Sequence, residues 1–268
     1  MKKFRILMYN NIGSYPEAAM EDGLSAQAFR RDMAYLASHG YRVVSLDEAM
    51  ALANGQRRIP DKVLSLSFDG GYRDAIENVH PVLKEFGFPA AFFISCPHVG
   101  AALTLRGIDV PCMSLDEIKQ LADAGYEIGA YTLSGRYYRP GVKEAERKLI
   151  SDMQEAATWF REQLGRKLRY CSVREGVPEK RMFAAFKEAG IEGFLTKCPT
   201  KRRPHRYCVG RIQVDDDDPN IFRIKISRNY LRFKDSRSWR YVRKYKLDRL
   251  AHRISDSVNA RRIMPTRS

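Results

Sequence analysis

Short apolar runs alternate along most of the chain with segments of helical period. The strand-like runs include RILMYN at 5–10, VLSLSF at 63–68, AAFFIS at 90–95, EIGAYT at 127–132 and LRYCSV at 168–173. Most of the helical segments between them end at a glycine, which is a common helix stop. Because the strand-like runs are apolar on both faces, we expect parallel strands covered by helices. The pattern predicts about seven strand–helix repeats.

Seven or eight such repeats close naturally into a barrel, and an open doubly wound sheet is the alternative. Neither a G-x-G-x-x-G motif nor a P-loop is present, so the sequence carries no nucleotide-binding signal. In parallel barrels the chemistry lies at the C-terminal ends of the strands. Those ends hold the candidate site residues Asn10, Asp69, Cys96, His98, Tyr131 and the segment 171–176.

The character of the chain changes after Thr200. A basic loop precedes two predicted strands, RYCVGRIQV and FRIKIS, which an acidic turn at Asp215–Asp218 separates. Residues 236–258 then have helical period with an apolar stripe between basic faces. We therefore expect a barrel over residues 1–200 and a basic strand–helix extension over 201–268. The extension either packs on the barrel or reaches a membrane interface.

Five blocks resemble the polysaccharide deacetylases of the NodB-homology family, carbohydrate esterase family 4, in order and spacing. They are LMYNNIG, SAQAFRRDMAYLASHGYRVVSLDEAM, VLSLSFDGGYRDAIENVHPVLKEFGFPAAFFIS, EIGAYTLSGRYYRP and FKEAGIEGFLT, within residues 5–200. The resemblance implies an α/β fold, a distorted (β/α)7 barrel. It also implies an ancestor that used a divalent metal to remove acetyl groups from N-acetylated sugars.

The chain departs from the family pattern at the positions of the metal ligands. The family's T-F-D-D-G motif is matched by Ser67–Gly71, in which Asp69 stands at the general-base position and Gly70 replaces a metal-binding aspartate. Tyr131 and Gly135 stand where the family has its two metal-binding histidines. We therefore expect no metal cofactor.

Two further family blocks are altered. Asn10 replaces the histidine of the opening M-Y-H block, and Ser172–Gly176 stands for an R-x-P-Y-G-like block that has lost its proline. Without the metal, a lone general base would contribute only about 10²–10⁴-fold to a very slow amide hydrolysis. These losses favour a carbohydrate-binding protein of cell-surface glycan metabolism, a pseudoenzyme, over an active deacetylase.

The alternative is a hydrolase of a sugar N-acyl C–N bond with a rebuilt site. Asp69, Cys96 and His98 have side chains that could ligate a metal, and the latter two could form a nucleophile pair. The simpler interpretation is that Cys96 is a buried cysteine and His98 a loop histidine, neither with a chemical role. Tyr131 either stacks on a sugar ring or fills space, and Arg174 either pairs with Asp69 or lies at the surface.

Charge is concentrated at the end of the chain. Of the net charge of +15, residues 201–268 carry +13 from 20 basic and 7 acidic residues. Such a segment favours an anionic partner, which could be a membrane leaflet carrying a lipid-linked glycan, a nucleic acid or a phosphorylated substrate, and the alternative is a solvated basic tail. No nucleic-acid motif accompanies the charge, which argues against that partner. The five cysteines form no disulfide pattern and no signal peptide is evident, so we expect a cytoplasmic protein, peripheral at the inner membrane face.

Overall fold

A computed structural model describes residues 4–13, 23–56, 58–105, 107–132, 141–173, 178–197, 208–227 and 230. The chain divides into two compact units, Met1–Ile226 and Ser227–Ser268. The strands of the first unit are β1 Arg5–Tyr9, β2 Arg42–Val43, β3 Val63–Gly70, β4 Ala91–Ile94, β5 Ala102–Leu105, β6 Ile108–Pro111, β7 Glu127–Tyr131, β8 Tyr170–Val173, β9 Gly193–Thr196, β10 Cys208–Gly210 and β11 Ile212–Gln213. Its α-helices are α1 Ala26–Ser38, α2 Leu46–Ala53, α3 His80–Phe86, α4 Leu115–Asp123, α5 Lys143–Leu164, α6 Phe183–Glu188 and α7 Pro219–Ile226.

One parallel sheet dominates the fold. Its strand order is β10-β9-β8-β7-β4-β3-β1-β11, and β2 adds to the start of β3. β10 and β11 lie at the two ends of this order but follow one another in the chain, with Arg211 between them. The backbone N–H of Arg211 donates to Thr196 O on one side (3.0 Å), and that of Val214 donates to Met8 O on the other (2.8 Å). The ends of the sheet therefore meet, and the predicted (β/α)7-type barrel is confirmed over the open sheet.

The closing strand lies beyond the barrel end expected at residue 200. Residues 208–213 belong to the barrel sheet, and the compact unit continues to Ile226. The predicted strand FRIKIS is wrong, because those residues fall mostly in α7. Pro219 suits the first turn of a helix, and Phe222 and Ile226, four residues apart, are both buried on one face. The predicted helix at 236–258 lies outside the described residues.

Helix α2 packs its apolar side against strands of the barrel. Its Leu46, Ala49 and Met50 form one buried cluster with Phe93 of β4 and Leu195 of β9. The N-cap residue of α2 is Ser45, whose hydroxyl accepts from the N–H of Glu48. Apolar side chains of α2 and of the strands therefore pack together inside the barrel, up to the level of Phe93 and Leu195, the strand partners of Asp69 and Ser172.

The outer face of the sheet is aromatic under α1. The Tyr9 and Phe68 rings stack with centroids 5.2 Å apart, and the Phe68 and Phe92 rings stack at 5.0 Å. Phe29 of α1 meets Tyr9 and Phe68 edge-on. Because successive side chains of a strand point to opposite faces, Phe68 outside places its neighbours Ser67 and Asp69 inside.

An antiparallel hairpin of β5 and β6 stands between β4 and α4, where the sequence pattern predicted no strand. It contributes Val110 and the following Cys112 to a small cluster around Tyr72. No α-helix in the described part of the chain has both the length and the apolar character needed to cross a bilayer.

Candidate functional site

A buried ion pair occupies the upper lumen of the barrel. Asp69, at the C-terminal end of β3, accepts from both terminal nitrogens of Arg211: Nη1 lies 2.7 Å from Oδ1 and Nη2 lies 2.6 Å from Oδ2. Arg211 is fully buried and Asp69 is only 4% exposed. This bidentate geometry is the strongest form of an arginine–carboxylate contact.

Two serine hydroxyls complete the ion pair. Ser172 Oγ of β8 donates to Asp69 Oδ2 (2.8 Å) and accepts from Arg211 Nη2 (2.7 Å), while Ser67 Oγ accepts from Nη1 (3.2 Å). The guanidinium also lies over the Phe93 ring, 5.6 Å from its centroid. A buried charge is tolerated only when it is paired and its hydrogen bonds are satisfied, and this network meets both conditions for Asp69. Asp69 is therefore held as an oriented carboxylate at the place where family chemistry is expected.

The structure leaves no room for a ligand side chain at position 70. The φ of Gly70 is +101°, a conformation that residues with a Cβ rarely adopt, and an added Cβ would lie 2.4 Å from Cε2 of the Tyr72 ring. The loop is fixed by the hairpin side of the barrel, since the N–H of Met113 donates to Gly71 O (2.9 Å). An aspartate at position 70 would need both the backbone and Tyr72 to move.

Tyr131 lies at the end of β7, buried in the same apolar cluster as Phe93 and Leu195. This supports the space-filling interpretation, although a sugar contact by its outer edge stays a prediction. Asn10 follows β1 at the same end of the barrel and is half-buried. Arg174 and Gly135 lie outside the described residues. The predicted partner for Asp69 is thus supplied by Arg211, whatever Arg174 does.

Cys96 and His98 follow β4 but do not form a reactive pair. Burial raises the pKa of the Cys96 thiol to about 12, so the thiolate is scarce at neutral pH. His98 Nδ1 lies 2.8 Å from Ser95 Oγ, and no hydrogen bond joins His98 to Cys96. Asp69, Cys96 and His98 do not form a metal-binding group, and no such group of three or more acidic, histidine or cysteine residues exists elsewhere in the described segments. The rebuilt site is not supported by these residues.

Comparison with known proteins places the chain in a family. The polysaccharide deacetylase family model matches residues 56–194, just over half of the chain. Poly-beta-1,6-N-acetyl-D-glucosamine N-deacetylase of Staphylococcus aureus (strain MSSA476) is 23% identical over 202 residues, covering 72% of this chain and 68% of that protein. Putative polysaccharide deacetylase YxkH of Bacillus subtilis (strain 168) is 26% identical over 131 residues. That match spans 49% of this chain and only 43% of the relative's length.

Solved structures agree on the fold. IcaB from Ammonifex degensii superposes with a TM-score of 0.70 at 23% identity, covering 86% of this chain and 97% of that one. A de-N-acetylase from Aggregatibacter actinomycetemcomitans gives a TM-score of 0.67 at 21% identity, covering 84% and 99%. The chain belongs to the polysaccharide deacetylase family, and the resemblance drawn from its motifs is confirmed.

Family membership corrects the expectation that the protein has no cofactor. Its homologues are metal-dependent deacetylases, so the substitutions in the sequence alone did not justify that conclusion. The structure bears only on the residues that stand at the family's ligand positions. Of the family's ligand positions in the described chain, Gly70 offers no donor and Tyr131 only a phenol in an apolar cluster. These residues do not fit the carboxylate–histidine donor set that the resemblance implies.

Proposed function

We propose that this member of the polysaccharide deacetylase family recognises an N-acetylated glycan at the upper end of its barrel. We further propose that it does so without the family's deacetylation reaction. The observation that carries the proposal is the Asp69–Arg211 pair, which keeps a polar, oriented centre at the strand ends. A carboxylate is a strong hydrogen-bond acceptor for sugar hydroxyls, and sites of this kind combine few polar groups with apolar walls.

The relatives support the class of ligand. The staphylococcal relative acts, by its name, on poly-β-1,6-N-acetyl-D-glucosamine, and we extend that substrate class to this chain as the ligand. Gly70 and Tyr131 support the loss of the family reaction, because neither supplies the chemistry of the ligand it replaces. Asp69 remains at the general-base position, but it is enclosed by its three donors.

The test pairs binding with turnover. Oligomers of β-1,6-linked N-acetylglucosamine are titrated into the untagged protein by calorimetry, and acetate release is followed with and without added Zn²⁺, Co²⁺ or Ni²⁺. We expect saturable binding, no acetate above background, and about tenfold weaker binding for Asp69→Asn, since a hydrogen bond to a charged group is lost. Asp123→Asn is the matched control, because that carboxylate is 78% exposed on α4. Thermal melts establish that both variants are folded.

Each result has a definite meaning. Acetate release that depends on a metal bound near one per chain, measured by elemental mass spectrometry, would establish the alternative, an N-acyl sugar hydrolase. Absence of binding to a panel of N-acetylated glycans, with no turnover, would refute the proposed function.

We also propose a location for the protein. Residues 201–268 carry a net charge of +13, against +2 for residues 1–200, and this asymmetry supports contact with an anionic leaflet from the cytoplasmic side. A lipid-linked glycan would then meet the barrel near the membrane surface. Fluorescence microscopy of a tagged chain in cells would test the location. The signal should lie at the membrane and should leave it when the negative charge of the leaflet is neutralised.

A further inference from the structure

The guanidinium of Arg211 and the hydroxyl of Ser172 converge on a single oxygen. Asp69 Oδ2 lies 2.6 Å from Arg211 Nη2 and 2.8 Å from Ser172 Oγ, and those two donors are themselves 2.7 Å apart. Ser172 reaches this point from the end of β8 and Arg211 from the strand that closes the barrel. Two strands therefore deliver polar groups to the same small volume of the lumen.

Position 172 has a particular place in the sequence pattern. It is where the R-x-P-Y-G-like block has its arginine, and this chain has serine there. Ser172 still contacts Asp69, and the guanidinium that bonds both side chains comes from position 211.

The closing strand gives Arg211 a fixed position. The N–H of Arg211 is bonded to β9, and Val214 three residues later is bonded to β1. Four of the five guanidinium N–H groups are used: Nη1 donates to Ser67 and Asp69, and Nη2 donates to Asp69 and Ser172. Only Nε lacks a partner in the described part of the chain. A side chain bonded in this way has little rotational freedom.

We propose that Arg211 is the positioning residue of the Asp69 site, in place of an arginine on β8. The proposal rests on the proposed function only in naming Asp69 as the residue that is oriented. Asp69 Oδ2 is saturated by two donors, whereas Oδ1 accepts from Arg211 Nη1 alone and keeps one acceptor position. The geometry thus selects Oδ1 as the oxygen that meets a sugar hydroxyl.

Moving the arginine back tests the proposal. Arg211→Ser leaves Asp69 buried without a countercharge, and the melting temperature should fall by roughly 10 °C. The double variant Ser172→Arg, Arg211→Ser supplies the guanidinium from β8 instead of from position 211. It should recover at least half of the lost melting temperature. Ser172→Arg alone places two guanidinium groups beside one carboxylate and should destabilise. Ser172→Ala, which removes one hydroxyl, is the mild control.

Arg211→Lys separates positioning from simple charge balance. A lysine retains the charge but not the fork that fixes both carboxylate oxygens. It should keep more of the melting temperature than Arg211→Ser, yet weaken binding of the β-1,6-N-acetylglucosamine oligomer about tenfold. The double variant should bind better than Arg211→Lys.

Two results would overturn the proposal: a double variant that melts as low as Arg211→Ser, or an Arg211→Lys variant that binds as wild type does. If the wild-type protein binds no member of the N-acetylated glycan panel and shows no turnover, the proposed function fails. The recovery of melting temperature in the double variant, together with the Asp69 geometry in its crystal structure, still decides whether the arginine positions that carboxylate.

Discussion

Outside the candidate site, Asp32 is a buried carboxylate whose burial lowers the stability of the folded state. It lies on the inner side of α1 with its side chain 1% exposed, and only its Oδ1 is bonded, to Arg31. Oδ2 has no partner within the described residues. Burial is the main cause that raises the Asp32 pKa from 3.8 to about 6; Asp217 adds to the rise, while Arg31 and Lys225 oppose it.

The pH dependence of stability follows from the sign of this shift. The folded state binds the Asp32 proton more tightly than the unfolded state, so its contribution is fully present below about pH 4 and is lost as the pH rises through about 6. Asp32→Asn should therefore be more stable than wild type at pH 7, by roughly 2–3 kcal/mol, with the advantage disappearing near pH 3.5.

Urea unfolding of both proteins between pH 3.5 and 8 measures this difference. Asp123→Asn, which removes an exposed carboxylate, controls for the change in net charge. A difference between wild type and Asp32→Asn that does not vary with pH would contradict the assignment.

Among single residues, the sequence predicted Asp69 as a site residue but did not predict its partner, Arg211. A lone acid at the end of an apolar strand stands out, and the family motif then located its role. Arg211 did not stand out, because it is one of 20 basic residues after position 200 and its neighbours were assigned to an extension. The apolar neighbours of Arg211 could have identified it, because an arginine inside the apolar run CVGRIQV must find a buried countercharge. Only the closure of the barrel shows which one.

Strand β7 limits what the lumen can hold. Gly129 lies where an added Cβ would be 2.5 Å from Cε1 of Phe93 and 2.6 Å from the carbonyl oxygen of Tyr170. Gly193 of β9 has a similar contact, but with the terminal methyl of Met50, at 2.6 Å. A methionine end can swing aside, whereas a packed ring and a strand carbonyl cannot.

The two glycines therefore form a matched pair. Gly129→Ala should lower the free energy of unfolding by about 3 kcal/mol, and Gly193→Ala by about 1 kcal/mol or less. Equilibrium denaturation measures both, with far-ultraviolet circular dichroism as the probe. Equal losses would show that Met50 yields no more readily than Phe93 and the Tyr170 carbonyl, and a larger loss at Gly193 would show that it yields less.

At the level of elements, periodicity predicted the repeats well because each buried strand and its covering helix must satisfy simple burial rules. It failed in three places for physical reasons. The strands of the β5–β6 hairpin alternate in burial, but each has only four residues and Val110 is their only buried side chain, so the apolar signal is short and weak. FRIKIS alternates like a strand, yet Phe222 and Ile226 also match a helical face. In β3, Ser65, Ser67 and Asp69 alternate with apolar residues, which marks a polar lumen that we had described as apolar on both faces.

The distribution of charge is a property of the molecule as a whole. The compact unit Met1–Ile226 contains the barrel, while most of the basic excess follows it in the chain. Electrostatic attraction to an anionic surface is worth about 1 kcal/mol per basic residue near a membrane and is screened by salt. Neither the motif resemblance nor the barrel geometry predicts this behaviour, since it depends on where the basic residues are concentrated along the chain.

The membrane proposal predicts salt-sensitive binding to anionic vesicles. The protein should sediment with phosphatidylglycerol-containing vesicles at about 50 mM salt, where the Debye length exceeds roughly 10 Å, and much less at about 500 mM. A test variant replaces four basic residues by glutamine: Lys201, Arg202, Arg203 and Arg206. A matched control replaces four exposed lysines of the barrel: Lys84, Lys119, Lys143 and Lys187.

The test variant should lose roughly a thousandfold in vesicle affinity, while the control stays near wild type. The comparison isolates the position of the charge, because both variants have the same net charge. Equal losses in the two variants would mean that only total charge matters. Tighter binding to duplex DNA than to the vesicles at the same salt would instead favour the nucleic-acid partner that the sequence argued against, and the segment after residue 200 would then have no membrane role.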